Sequence, residues 1–124
     1  MHTVCELNSF RRSAEKAGLT AEEINDFIDM ISCDPTAGDV IEGTGGCRKI
    51  RIAIGANNKG KSGGARVVTF FTGLNMPIFL VAVFAKSERI NLSKANRNAL
   101  KGMTEQIVEA YAKRVSPLKV EATA

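Results

Sequence analysis

Between Cys47 and Ala85 three runs of strand-forming residues follow one another with turn-forming segments between them, and this arrangement constrains the fold more than any other feature of the chain. In Cys47 to Ile54 the apolar Ile50, Ile52 and Ile54 alternate with Lys49, Arg51 and Ala53. A period of two puts the isoleucines on one sheet face and the two cations together on the other. The Gly/Asn/Lys segment Gly55 to Gly64 leads into a second run, Arg66 to Thr72. Leu74-Asn75-Met76-Pro77 then turns the chain into Ile78 to Ala85, whose unbroken apolar character predicts a central strand covered on both faces. Connections of this kind favour antiparallel pairing, because a parallel crossover takes about a dozen residues or more and usually a helix.

Around this meander the patterns are helical. Thr3 to Leu7 reads as a short strand, and Asn8 or Ser9 is placed to cap a helix through about Ala17, ended by Gly18. Thr20-Ala21-Glu22-Glu23 is a capping-box pattern, with Ile24, Phe27, Ile28 and Ile31 following at helical spacing until Asp34-Pro35 stops them. Asp39 to Gly46 reads as an irregular crossing into the sheet. Ser93 begins a helix with Asn96, Leu100, Met103, Ile107, Ala110 and Tyr111 along one side, and Val115 to Ala124, with Pro117, reads as a loose tail. The expected fold class is α+β: an N-terminal strand and two helices, an antiparallel sheet, and a closing C-terminal helix. It forms a single domain over residues 1–114, with a flexible tail at 115–124. Val67, Val68, Phe70, Phe71, Phe79 and Phe84 are expected in its core. Cys5, Cys33 and Cys47 are odd in number and form no Cys-x-x-Cys pair, so they are expected as buried free thiols. His2 is the single histidine, which excludes a histidine-based triad or a His-rich metal site. No metal or cofactor is expected.

Charge is distributed unevenly. Residues 1 to 42 carry nine acids against Arg11, Arg12 and Lys16, a net of −6, whereas residues 43 to 87 contain no Asp or Glu and seven cations, and residues 88 to 124 are +3. The acid-free stretch holds Arg48, Lys49, Arg51, Lys59, Lys61, Arg66 and Lys86. One pole of such a chain repels nucleic acid and the other attracts it. The longest apolar run, Ile78 to Ala85, is far below the roughly 20 residues of a membrane-spanning helix. The N-terminus lacks the features of a signal peptide, so a cytoplasmic protein without membrane contact is expected.

Gly55-Ala-Asn-Asn-Lys-Gly60-Lys61-Ser62 matches the phosphate-loop pattern G-x-x-x-x-G-K-[ST] and follows a strand. That loop has to open a helix whose N-terminus holds the phosphates. Here Gly63-Gly64-Ala65 leads instead into β-branched and aromatic residues. Nucleotide hydrolysis is therefore not the expected chemistry, although a loop rich in backbone donors and lysines suits phosphate.

Three blocks in order resemble the RelE/HigB-type toxins of bacterial type II toxin–antitoxin systems: Gly45-Gly46-Cys47-Arg48-Lys49-Ile50-Arg51, Gly60-Lys61-Ser62-Gly63-Gly64-Ala65-Arg66-Val67-Val68, and Phe84-Ala85-Lys86-Ser87-Glu88-Arg89-Ile90-Asn91-Leu92-Ser93. The resemblance implies a small metal-independent ribonuclease that cuts mRNA on the ribosome and is held inactive by a cognate antitoxin, a helix-turn-helix protein. It implies a catalytic set of Lys49, Arg51, Arg66 and Lys86; from the charge of the acid-free stretch, Arg48, Lys59 and Lys61 are expected to bind RNA. A neighbouring like charge disfavours a lysine's protonated form, which makes Lys49 the candidate proton acceptor. Arg66 is then the transition-state clamp, and Arg51 and Lys86 are phosphate ligands. The chain departs from the family where Ala65 replaces a common aromatic, and where Tyr111 falls within the helix's apolar face. Two other functions remain open: a non-catalytic RNA- or ribosome-binding module, which would need the same charge, and a gyrase-poisoning toxin of the ParE branch with the same fold, which would not need the Lys49, Arg51 and Arg66 cluster.

Overall fold

The structure, a computed structural model, describes residues 2–53, 64–73, 76–85 and 94–123, with side chains up to Tyr111 save those of Ala53 and Ala85. In chain order its elements are β1 (Val4–Glu6), α1 (Asn8–Ala17), α2 (Ala21–Cys33), β2 (Asp39–Val40), β3 (Cys47–Ala53), β4 (Gly64–Phe70), β5 (Ile78–Ala85) and α3 (Lys94–Thr123). The sheet order is β1-β5-β4-β3-β2. β3, β4 and β5 form the antiparallel meander that the alternation implies. β1 joins β5 in parallel, so the sheet is mixed rather than wholly antiparallel. The intervening chain supplies the crossover that a parallel pair requires. α3 takes in most of the 115–124 stretch that the sequence sets apart as a tail.

Local chemistry explains the elements. α2 starts with a complete capping box, Glu23 N donating to Thr20 Oγ1 at 3.1 Å and Thr20 N to Glu23 Oε1 at 2.9 Å. α1 differs from expectation: its N-cap is Leu7, with no side-chain cap bond. The serine expected there serves the sheet instead. Ser9 Oγ donates to the Val81 carbonyl at 2.6 Å, and Ser13 Oγ accepts from Val83 N at 2.9 Å. These bonds flank a bulge in β5, where the register passes from Val68 opposite Ala82 to Thr69 opposite Leu80 and skips Val81. Buried backbone groups need partners, and two hydroxyls one helical turn apart supply them.

The supposedly irregular stretch before β3 also contains a strand. Asp39 pairs with Lys49 and Val40 with Arg48. The chain reverses through Gly43, Gly45 and Gly46, all at positive φ, while Thr44 Oγ1 donates to the Ile41 carbonyl at 2.6 Å and accepts from Cys47 N at 3.1 Å.

The core has two parts, one on each sheet face. Phe10, Ala14, Phe27 and Ile31 of the first two helices pack on Ile50, Ala65, Val67, Ile78, Leu80 and Val83. Leu100 of α3, with Met103 and Ile107, packs on Cys47, Val68, Phe70, Phe79 and Val81. At about 1.5–3 kcal/mol per large apolar side chain buried, these clusters outweigh the exposed Arg11–Glu6 ion pair at 3.3 Å, a type worth under about 1 kcal/mol. Phe71 and Phe84 of the expected core are only half-buried. Of the cysteines only Cys47 is buried; Cys5 is half-buried and Cys33 exposed. No helix among the described residues is long and apolar enough to cross a membrane.

One core group is unsatisfied. Thr69 is fully buried, and its Oγ1 has no hydrogen-bond partner among the described residues. A valine there keeps the shape and removes the desolvated hydroxyl, so Thr69→Val should raise unfolding stability by about 1 kcal/mol. Urea denaturation checks this; a loss of stability would mean that the hydroxyl bonds something in the folded chain.

Candidate functional site

The cross-strand register converts the scattered cations into rows on the sheet face that α3 partly covers. Cys47, Phe70 and Phe79 form the row beneath α3, since Cys47 pairs with Phe70 and Phe70 with Phe79. The next row on that face runs Asp39, Lys49, Val68, Ala82, and the one after it Arg51, Arg66, Phe84. Arg51 is exposed, while Lys49, Arg66 and Phe84 are half-buried.

Arg51 directly opposite Arg66 is an unfavourable pairing in a free protein. Directly opposed like charges on an antiparallel pair destabilise it, by roughly 0.2–1 kcal/mol. None of Lys49, Arg51 and Arg66 forms an ion pair among the described residues. Two directly opposed arginines, with Lys49 one row away on the same face, suit an anion, and a guanidinium presents its donors in a fork that matches a phosphate's oxygens.

Two features hold the row in place. Gly38, at φ +93°, sits so close to β3 that a Cβ there would lie 2.5 Å from the Lys49 carbonyl oxygen and 2.5 Å from Ile50 Cγ1. This pins β2 against β3 and sets Asp39 across from Lys49. At the other end, Thr104 Oγ1 of α3 donates to the Thr44 carbonyl at 3.1 Å. A Cβ on Gly45 would fall 2.6 Å from that same Thr104 oxygen. α3 is thus seated over the Cys47 row by apolar packing and a threonine contact, two rows from the arginine pair.

Asp39 is the functional candidate that charge reading missed. It lies outside the acid-free stretch, yet the register brings it to Lys49. The available signal was the hairpin pattern itself, Val40-Ile41 followed by the glycine-rich turn and β3. Arg48, expected to bind RNA, lies on the opposite sheet face, where its Nη1 donates to the Gly38 carbonyl at 3.3 Å. Lys59, Lys61 and Lys86, the phosphate-loop pattern Gly55 to Ser62 and the helix-starting Ser93 lie outside the described residues. The Cys47 thiol, although on the same face, is no nucleophile: burial pushes its pKa from 9.0 to about 11 despite the Thr44 contact, which lowers it. Among the described residues no three His, Cys, Asp or Glu side chains group so as to hold a metal ion.

Comparison with known proteins agrees with the three sequence blocks. A family model described as the RelE toxin of the RelE/RelB toxin–antitoxin system matches residues 3–123. Among solved structures, the chain is similar to an arginine double mutant of the E. coli toxin RelE in the free state, at a TM-score of 0.47 and 15% identity, covering 69% of this chain and 84% of that one.

Proposed function

The chain belongs to the RelE toxin family of toxin–antitoxin systems, and on that footing we propose that it is a metal-independent endoribonuclease that cuts mRNA on the ribosome in the cytoplasm. Its cognate antitoxin holds it inactive. The observation that carries this reading is the Arg51–Arg66 pair with Lys49 on the same face, a cationic row that the free protein maintains at a cost to its own stability. Such a cost is understandable where the missing partner is a phosphate.

In the proposed reaction the ribose 2′-oxygen attacks the adjacent phosphorus, its proton passes to Lys49 Nζ, and the bond from phosphorus to the 5′-oxygen breaks. Lys49 gains a positive charge as it takes the proton, and the Asp39 carboxylate across the strand stabilises that charge. Arg66 holds the pentacovalent phosphorane in its planar fork, and Arg51 and Lys86 bind phosphate oxygens. The leaving oxygen takes up a proton, and a 2′,3′-cyclic phosphate remains on the upstream fragment. Lys59 and Lys61 bind the backbone of the same strand.

Binding supplies the first test. Several phosphate contacts release several counterions, so log K for single-stranded RNA should fall by about 0.7 per contact per log unit of salt. With Lys49, Arg51 and Arg66 all replaced by Gln, that slope should drop by about 2. A slope that is flat in the wild type, or unchanged in the triple variant, would remove this face from RNA binding. Toxicity in cells that survives the triple substitution would favour a gyrase-directed toxin instead.

A further inference from the structure

We infer that Phe84 is a base-stacking platform, the apolar end of a row whose other members, Arg51 and Arg66, take the phosphate; the inference rests on the RNA reading above. Its basis is positional. Phe84 is the cross-strand partner of Arg66, which is in turn the partner of Arg51. All three therefore project from one face at successive strand spacings of about 5 Å, the scale that separates a nucleotide's phosphate from its base.

Burial singles the residue out. Phe10, Phe27, Phe70 and Phe79 are buried at 7% exposure or less. Phe71 is half-buried but lies at the far end of β4, edge-on to His2 with ring centroids 5.3 Å apart. Phe84 alone among the sheet's phenylalanines combines a partly accessible surface with a place in the cationic row. It packs against the cluster under α3 and is half-buried, so the packing holds the residue while part of its surface stays accessible. Single-stranded RNA is recognised by exposing its bases to aromatic faces beside cations that track the backbone. Ala65, fully buried in the opposite core, supplies no such surface.

The chain contains no tryptophan, so Phe84→Trp installs a single indole fluorophore at the site. Two probes separate base from backbone: a short single-stranded RNA, and an abasic ribose-phosphate chain of equal length. RNA should quench the indole emission, whereas the abasic chain should bind, by anisotropy of an end label, and leave the emission unchanged. Stacking is worth about 1–3 kcal/mol per base, so Phe84→Leu should weaken RNA binding about five- to 150-fold and leave the abasic chain and the salt slope unchanged, and Phe84→Tyr should restore affinity. If wild type and variants bind both probes alike and the emission is undisturbed, the platform is refuted and the phosphate site stands. If wild type binds neither probe, the RNA reading falls and the platform with it.

Discussion

Arg66→Ala should slow single-turnover cleavage of mRNA on purified ribosomes by about two to three orders of magnitude, the range seen when a preorganised charge-stabilising group is lost. The substitution removes the clamp but leaves Lys49, Arg51 and the loop lysines, so ribosome affinity should change far less than rate. Arg66→Lys should restore little, because an ammonium lacks the planar fork that matches two phosphate oxygens. Stability should move the other way. Since Arg66 stands directly opposite Arg51, removing one charge relieves a repulsion of roughly 0.2–1 kcal/mol, and the free Arg66→Ala protein should unfold no more easily than wild type. Full cleavage activity in Arg66→Ala would take the residue out of the mechanism. A large loss of stability would instead mean that the guanidinium holds the sheet together and that the activity loss reports misfolding.

Gly38→Ala carries the largest expected effect on the fold. A side chain at φ +93° is strained wherever it sits, and here the added Cβ would also meet the backbone oxygen of Lys49 at 2.5 Å, an atom that cannot rotate away. β2 would have to lift from β3, taking Asp39 off Lys49 and withdrawing the carbonyl that Arg48 bonds. Together these cost about 3 kcal/mol, a fall in Tm on the order of 10 °C for a chain of this size. Gly18 serves as the control. It has a similar φ of +87° but nothing within 4 Å of its Cβ position, so Gly18→Ala should incur only the conformational cost, about 1–2 kcal/mol. Equal melting of the two variants would show that β2 is not pinned by this contact.

The face-by-face logic of the sheet could be read from residues 47 to 54 alone. Once Ile50 and Ile52 were assigned to the core, Lys49 and Arg51 had to share the other face, and the structure places them there. The capping box and its helix were equally legible, because every interaction involved lies within a few residues. What the chain did not disclose is whatever depends on distant partners. Ser9 looked like a helix cap because local capping was the one use visible for it; its hydroxyl instead satisfies a carbonyl of β5, 72 positions away. Asp39 looked like part of an irregular crossing because two residues carry no periodicity, and only the hairpin register reveals that it faces Lys49. Phe84 reads as core and does pack against the cluster under α3, but that it stays only half-buried and stands across from Arg66 depends on a strand register that composition does not report. Arg48 adjoins Lys49 in sequence, but the same period of two that unites Lys49 and Arg51 sends it to the opposite face.

If this cationic face cuts RNA by way of the strand's own 2′-oxygen, the end groups of the product will show it. mRNA fragments released on ribosomes by the wild-type protein can be examined by mass spectrometry of their 3′ termini. The expected product is a 2′,3′-cyclic phosphate, or the 3′-phosphate to which it hydrolyses, paired with a 5′-hydroxyl on the downstream fragment. A 3′-hydroxyl paired with a 5′-phosphate would mean that water rather than the ribose attacked the phosphorus, and would contradict the roles assigned to Lys49 and Arg66.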